Sequence, residues 1–284
     1  MCRQIAVLFL TLLLTGAGLP ARHASGAGQS TAGENGTARK TDGELAATVA
    51  RAAALYEQFK SSEALVEFRK ALALAPDDPE VLVWTARTYV DVGDMIPETR
   101  ADWQERRLEQ YRAAERYARQ AVKVDPKSTW PQFFLAVALG KIAEFSGVKQ
   151  QIALAQDIRK ATDTAIALDP DNGFAYHVLG VWHRRMAEIN RAERLLAQLL
   201  FLGSVPAGRL DDSVRYLKKA LEYNPDVINH HLELARTYQA LEKPELARRH
   251  LKTVADLPIR FSDDEIHKRK ARQLLRDINR NGNG

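Results

Sequence analysis

The sequence predicts an all-α protein, a right-handed α-α superhelix of about five stacked helical hairpins with a C-terminal capping helix. Three observations lead to this prediction. Apolar residues recur at helical spacing from residue 44 onward. Several helices end in a proline, and each of them has a small residue five positions before that proline. The helices that follow carry a larger residue beside a small one, which is typical of closely crossing helix pairs.

Four proline-terminated tails mark the ends of the second helices of the hairpins. They read KALALAPDD, QAVKVDPKS, TAIALDPDN and KALEYNPDV, and their prolines are Pro76, Pro126, Pro170 and Pro225. Proline lacks a backbone N–H and disfavours helical geometry in the preceding residue, so each one ends a helix. The small residues where helices are expected to cross are Ala71, Ala121, Ala165 and Ala220.

The first helix of each hairpin has its own crossing point. The pairs of a larger and a small residue are Thr85 and Ala86, Leu135 and Ala136, Leu179 and Gly180, and Leu234 and Ala235. A short side chain lets the partner helix approach, and the larger neighbours fill the remaining space. We therefore expect each of these helices to pack closely against the helix that follows it.

The intervals between prolines predict elongated middle hairpins. From Pro76 to Pro258 the successive intervals are 50, 44, 55 and 33 residues. A repeat of about 34 residues leaves roughly 16, 10 and 21 extra residues in the three middle units. Because the predicted helix starts and helix ends both fit the repeat pattern, we expect the extra residues to lie between the two helices of each hairpin. The longest insertion falls within residues 184–210, whose apolar helical face should form a lid or buttress.

These features resemble the tetratricopeptide repeat. In the first unit the pattern positions are held by Ala52, Leu55, Ala64, Phe68, Ala71 and Pro76. The stretches LDPDNGFAYHVLGVW, FLGSVPAGRLDDSVRYLKKALEYNP and LELARTYQALEKPELARRHLKTVADLP are similar to the regulator of microtubule dynamics family over roughly residues 50–278. Animal members of that family associate with microtubules or organelle membranes. A secretory leader departs from that setting, so we expect an exported bacterial relative and do not carry tubulin binding over.

The first 27 residues resemble a secretory signal peptide. Arg3 precedes the apolar run IAVLFLTLLL, and small residues follow, with cleavage expected after Ala27. Ten residues rise only about 15 Å as a helix, roughly half the hydrocarbon core, so a membrane span is the less favoured alternative. An uncleaved anchor stays open. The remaining predicted segments are a flexible linker at 28–43, the repeat domain at 44–278 and a disordered tail at 279–284. The predicted location is periplasmic or extracellular.

Composition excludes several classes of function. The only cysteine, Cys2, lies in the leader, so the mature chain has no thiol for disulfides, zinc thiolate sites or cysteine nucleophiles. The formal net charge of +5 falls by two on cleavage, because the leader holds Arg3 and Arg22 and no acidic residue. That charge is too small to indicate nucleic acid. The sequence has no phosphate loop, zinc-protease motif or nucleophile elbow, so we predict no catalytic residues and no cofactor.

Four histidines raise the question of a metal site: His177, His183, His230 and His231. Adjacent histidines point to different faces of a helix, and His183 falls at a core position of the repeat. We interpret these histidines as packed or surface residues and predict no metal site.

The predicted site is the inner surface of the superhelix. One face of each first helix should line it, giving a basic groove with aromatic residues at its middle. The candidate partner-binding residues are Arg87, Trp130, Phe133, Lys141, Phe174, His177, Arg184, Arg185 and Arg236. Arginine pairs well with carboxylates, so the expected ligand is a peptide or protein with acidic or carboxylate features, held also by aromatic anchors.

The leading interpretation is a non-enzymatic exported scaffold that binds a partner in this groove. A carrier of an apolar or lipid ligand is an alternative, with Leu195, Leu199 and Phe201 lining an enclosed pocket between the middle hairpins. A membrane-anchored tether is another. The sequence names neither the partner nor the oligomeric state.

Overall fold

The computed structural model describes residues 32–189, 194–195, 199 and 205–281. Eleven helices have both ends within these residues, and no strand occurs in them. In chain order the helices are α1 (Ala32–Glu57), α2 (Ser61–Leu74), α3 (Pro79–Met95), α4 (Trp103–Val124), α5 (Thr129–Ala143), α6 (Val148–Leu168), α7 (Gly173–Glu188), α8 (Leu210–Tyr223), α9 (Ile228–Ala240), α10 (Pro244–Asp256) and α11 (Asp264–Asn281). None of them combines the length and the apolarity needed to cross a bilayer.

The helices form five hairpins and a closing helix, as predicted. Within each hairpin the two helices pack on each other, from α1 with α2 to α9 with α10, and each second helix also contacts the first helix of the next hairpin. Helix α11 packs on α9 and α10 and covers the last hairpin. The result is an all-α superhelix of helical hairpins.

The proline-terminated tails end the second helices where the sequence predicts. Helices α2, α4, α6 and α8 each stop two residues before their proline. The backbone carbonyl of the small residue accepts the N–H of the residue just after the helix, at 2.8–3.0 Å in all four tails. These residues, which have no exposed surface, are Ala71, Ala121, Ala165 and Ala220. The same alanine therefore closes the helix end and gives the neighbouring helix room.

The predicted crossing points are also present. Ala86, Ala136 and Ala235 are fully buried. A Cβ atom added to Gly180 would lie 2.6 Å from Cγ of Leu217 on α8, which is closer than van der Waals contact allows. The fourth hairpin therefore depends on a glycine where the others use alanine.

The surplus residues of the second and third hairpins lie mainly in extended second helices. Helices α4 and α6 have 22 and 21 residues, whereas α2 and α8 have 14 each. The extra turns are added at the start of the second helix, opposite the end that the proline fixes. These two hairpins are thus elongated as expected.

The insertion of the fourth hairpin, residues 189–209, is described only at its ends and at a few positions. The Arg194 guanidinium donates to the carbonyls of Met186 at 2.8 Å and Pro206 at 3.1 Å, so it joins both ends of the insertion. Leu195 and Leu199 are 58% and 69% exposed. This exposure contradicts the expectation that these two leucines line an enclosed pocket. Phe201 lies outside the described residues.

The two boundaries of the repeat domain differ from the prediction. Helix α1 begins at Ala32, within the predicted linker of residues 28–43. Its first turns contain alanine, arginine and lysine, which favour helix, and the prediction gave more weight to the glycines and threonines among them. Helix α11 continues to Asn281, beyond the predicted end at 278, and Arg248 donates to the Asn279 side chain at 3.0 Å. The predicted signal peptide and the last three residues lie outside the described residues.

Candidate functional site

The first helices of the middle and last hairpins form the inner side of the stack. Helices α3, α5, α7 and α9 contact one another in series, in addition to their contacts within and between hairpins. The side on which successive helices approach is the concave side of a superhelix. We call the surface of these four helices the inner wall. All nine predicted site residues belong to these four helices, although Phe133 and Arg184 are buried.

A pocket opens on the inner wall between the first turns of α3 and α5. We call it the α3–α5 pocket; its volume is about 140 Å³. Its lining consists of Pro79, Glu80, Val83, Trp84, Arg87, Asp125, Ser128, Trp130, Pro131 and Phe134. Most of this surface is apolar. The Trp84 ring stacks on Phe68 at 5.7 Å, so the first hairpin fixes one wall of the pocket.

Arg87 borders the pocket and is held by hydrogen bonding and stacking. Its Nε donates to the Tyr56 hydroxyl at 2.7 Å, and that hydroxyl donates to Asp91. The guanidinium also lies over the rings of Tyr56 and Trp84, at 4.8 and 5.1 Å. Burial raises the pKa of Asp91 to about 7, although the charge of Arg87 opposes that rise. Arg87 is therefore a positioned cation with a carboxylate close to it.

Lys141 is part of a second charged cluster. Its Nζ contacts both carboxylate oxygens of Asp94, at 2.7 and 2.6 Å, and the Tyr111 hydroxyl donates to the same carboxylate at 2.7 Å. Burial lowers the pKa of Lys141, but the charges of Asp94, Glu144 and Asp263 and the hydrogen bond to Asp94 together outweigh burial and raise the pKa above its ordinary value. Lys141 therefore stays charged and is engaged by Asp94.

The three predicted aromatic anchors pack on one another. Phe133 contacts Trp130 with ring centroids 5.8 Å apart and Phe174 with centroids 6.1 Å apart. Phe133 is buried, and Phe261, from the loop before α11, meets Phe174 edge-on at 6.2 Å. Of the three, only Trp130 lines the α3–α5 pocket. Phe133 is a core residue, and Phe174 is partly buried beneath Phe261.

His177 and Arg184 face the next first helix, α9. The His177 ring stacks on His230 at 4.6 Å, and burial lowers the pKa of His177 to about 4. Arg184 is buried and donates to Glu233 and, at 2.9 Å, to Glu188. Both residues join two hairpins; Arg184 is not exposed for a partner, and His177 is partly buried.

Glu233 lies between two predicted groove arginines. Arg184 and Arg236 both donate to its carboxylate. Burial raises the pKa of Glu233, but the charges of Arg236 and Arg184 outweigh burial and hold the pKa at about 2. This ion triad holds α7 against α9, and Glu188, which also pairs with Arg184, supplies the second carboxylate for the two arginines.

The cations predicted for the groove have carboxylates close to them. Arg185 is exposed, and its guanidinium lies 3.8 Å from Glu144. Every predicted cation of the inner wall thus has a carboxylate near it, and the partners for Lys141 and Arg236 are Asp94 and Glu233. Acidic residues on the same or a neighbouring helix supply the compensation, and the prediction considered the basic residues alone.

The other histidines are packed residues, as interpreted. His183, His230 and His231 are buried. Near α11, Asp263, Asp264 and His267 place potential metal-ligand atoms within 4.8 Å of one another. Asp264 accepts the backbone N–H groups of residues 260 and 261 at 2.7 and 2.8 Å, so it holds the turn that leads into α11. We assign this group a structural role.

Sequence reasoning missed Glu80 and Trp84, which line the pocket. Trp84 lies in the same turn of α3 as Arg87, which was predicted to line the groove. Its equivalent in the next repeat is Phe134, which also lines the pocket. A large aromatic side chain at the same position of two successive repeats was the available signal.

Comparison with known proteins agrees with this architecture. The family model for regulator of microtubule dynamics protein 1-3 matches residues 48–279. The chain belongs to this family. Regulator of microtubule dynamics protein 1 from Pongo abelii is 28% identical over 200 residues, which cover 70% of this chain and 62% of the relative. For the Homo sapiens protein the identity is 28% over 191 residues, covering 67% of this chain and 59% of the relative. The chain thus spans about 60% of these relatives.

A solved structure supports the fold. The crystal structure of a thermophilic TPR protein from Thermus thermophilus aligns with a TM-score of 0.54 at 18% identity. The alignment covers 80% of this chain and 98% of that protein. This likeness, together with the helical hairpins, shows a tetratricopeptide-like superhelix.

Proposed function

We propose that the chain is a non-enzymatic scaffold that binds a peptide or protein partner on its inner wall. A stack of helical hairpins presents an extended concave surface, which proteins of this architecture use for binding. The α3–α5 pocket carries the proposal. It is an apolar recess with aromatic walls on the concave side, and such recesses accept the anchor residues of a partner.

The rest of the inner wall supports this pocket. The cluster of Lys141 and Asp94 joins α5 to α3, and the triad around Glu233 joins α7 to α9. Paired charges of this kind fix the relative positions of the first helices. A partner would therefore meet a preformed surface, which lowers the entropy cost of binding.

We also propose that the protein is exported and works outside the cytoplasm. This part of the proposal rests on the leader-like sequence of residues 1–27. N-terminal sequencing of the protein purified from its source should begin at Gly28. A first residue at Met1 would reject cleavage and favour the anchored alternative.

Site-specific photocrosslinking tests the binding surface. A benzophenone amino acid is placed at Ser128, at the edge of the pocket, and in a separate variant at Val66, an exposed position on α2. After irradiation in an extract of the source organism, the Ser128 probe should yield discrete crosslinked species that mass spectrometry identifies. The Val66 probe controls for contacts unrelated to the inner wall. Identical products from both positions, or none from Ser128, would reject the inner wall as the binding surface.

A further inference from the structure

We infer that the α3–α5 pocket binds an aromatic side chain that is adjacent to a positive charge. The partner would therefore present an aromatic residue next to a lysine or arginine. This inference rests on the proposed function and specifies the chemistry of the partner.

The size of the pocket favours one aromatic ring. Its volume is about 140 Å³. A protein cavity of roughly 150 Å³ with apolar walls is known to hold benzene. Trp84, Trp130 and Phe134 supply aromatic walls here, and two prolines at the helix starts make the rim rigid. A phenyl group fits such a space without rearrangement.

The walls are positioned before any ligand arrives. One face of Trp84 stacks on Phe68, and Arg87 lies over Trp84 at 5.1 Å. Trp130 packs against Phe134 with ring centroids 6.2 Å apart. An incoming ring therefore meets side chains that contacts with their neighbours already hold in place.

The charges around the pocket favour a cation. Glu80 lines it and is partly buried, and burial raises the pKa of this carboxyl. The negative charge of Asp78 raises the pKa further, and a hydrogen bond from Trp84 lowers it. Among the residues that the structure describes, no basic group thus offsets the charge of Glu80. Asp125 adds a second carboxylate to the lining.

Arg87 does not reverse this balance. Its Nε donates to Tyr56, and its charge lowers the pKa of Asp91, one turn further along α3. Its guanidinium is thus held by Tyr56, and the two carboxylates of the lining, Glu80 and Asp125, outnumber this one cation. A carboxylate on the partner would lie beside Glu80 and be repelled, whereas an ammonium or guanidinium would be attracted. The favoured partner charge is opposite to the one predicted from the arginines of the groove.

Three small molecules that share one phenyl ring test the inference. They are 2-phenylethylammonium, 2-phenylethanol and 3-phenylpropionate, added to the full chain at pH 7. Binding is followed by protein NMR and by tryptophan fluorescence. The cation should bind about tenfold more tightly than the anion, with the alcohol between them; tenfold corresponds to about 1.4 kcal/mol. Two hexapeptides with central Phe-Lys or Phe-Glu should show the same order.

Two variants assign the effect to the pocket. Glu80→Gln should reduce the preference for the cation to about twofold or less, while Glu222→Gln, at an exposed position on α8, should leave it unchanged. Val83→Trp fills the pocket and should abolish binding of all three molecules. Circular dichroism and thermal unfolding confirm that each variant is folded.

Several outcomes would overturn the inference. Equal binding of the three molecules, tighter binding of phenylpropionate, or binding that survives Val83→Trp would each reject it. Absence of phenyl binding, together with crosslinks at Ser128, would reject this chemistry and leave the proposed scaffold function standing. Selective binding of the cation without any crosslinked partner would support the pocket chemistry and reject the scaffold function.

Discussion

Two regions of the inner wall use the same repeat position in different ways. Arg87 and Arg236 each follow the small residue of a crossing pair, Ala86 on α3 and Ala235 on α9. Arg87 borders an open pocket, whereas Arg236 pairs with the buried carboxylate of Glu233. The repeat therefore fixes where a side chain lies, and the neighbouring helices decide whether it is accessible. The α3–α5 end of the wall is open, and the α7–α9 end is closed by ion pairs and by the segment before α11.

The largest effect on the free energy of unfolding is expected at Arg184, and almost none at the adjacent Arg185. The Arg184 side chain is 5% exposed and pairs with Glu233, whereas Arg185 is 54% exposed. Arg184→Ala should cost about 3 kcal/mol in the free energy of unfolding, because it leaves a buried carboxylate with fewer partners. Arg185→Ala should change that free energy by less than about 0.5 kcal/mol. Urea unfolding measures both, and similar losses would show that the α7–α9 end is not closed.

The second prediction concerns the pH dependence of stability that Asp91 causes at the α3–α5 end of the inner wall. The pKa of Asp91 is raised to about 7 in the folded chain, against about 3.9 when unfolded. The folded state thus retains a proton that the unfolded state releases between about pH 4 and 7, so stability from this group falls as pH rises through that window. Asp91→Asn removes this loss, so the free energy of unfolding of the variant should exceed that of the parent by about 2 kcal/mol at pH 8.

The Asp91→Asn measurement requires urea unfolding at pH 4, 6 and 8. The advantage of the variant should grow between pH 4 and 7 and then level off. An advantage that does not vary with pH would contradict the assignment. Glu233 should behave in the opposite sense, since its pKa is depressed to about 2. Its stabilising contribution is present above its unfolded pKa and is lost only as pH falls towards 2.

Stability changes of intermediate size are expected at two glycines, one at a close helix crossing and one on an open helix face. A Cβ on Gly180 would meet Leu217, whereas a Cβ on Gly140 would have nothing within 4 Å. Gly180→Ala should lower the free energy of unfolding by about 1–2 kcal/mol through overpacking. Gly140→Ala should raise it by up to about 1 kcal/mol, because alanine favours helix more than glycine does. Thermal unfolding compares the two, and a stabilising Gly180→Ala would contradict the tight crossing of α7 and α8.

The smallest effect is expected at the pocket itself. Glu80 carries a partly buried charge that no basic group in the described part of the chain offsets. Glu80→Gln should therefore raise the free energy of unfolding at pH 7 by about 0.5 kcal/mol. The gain should disappear at pH 4, where the carboxyl of the parent is already protonated. A loss of stability at pH 7 would mean that Glu80 has a favourable partner in the fold.

The fold could be predicted because its signals are local. Each helix end is marked by a proline, and each crossing by an alanine or glycine within the same few residues. Which charged residues of the site pair with one another could not be predicted from local signals. Arg184 meets Glu233, 49 positions later, and Lys141 meets Asp94, 47 positions earlier. Face assignment places such residues on the inner wall but does not show which charges meet there.

The start of the chain illustrates a further limit. The region from residue 28 to 43 has the composition of a linker, yet α1 begins at Ala32. The glycines and threonines of this region are typical of a linker, and the alanine, arginine and lysine among them favour helix. Local sequence alone therefore does not locate such a boundary.

The bracing of the fourth hairpin by Arg194 has an evolutionary consequence. One guanidinium joins the carbonyls of Met186 and Pro206, and the chain passes so close to His183 at Gly208 that a larger residue would collide. The entry to α8 is thus fixed by Arg194 and by the close approach at Gly208. We expect the repeats to tolerate changes in the rest of the insertion as long as these two residues are kept. The fourth hairpin is therefore the place where relatives are expected to diverge most freely, and where a foreign sequence could be grafted.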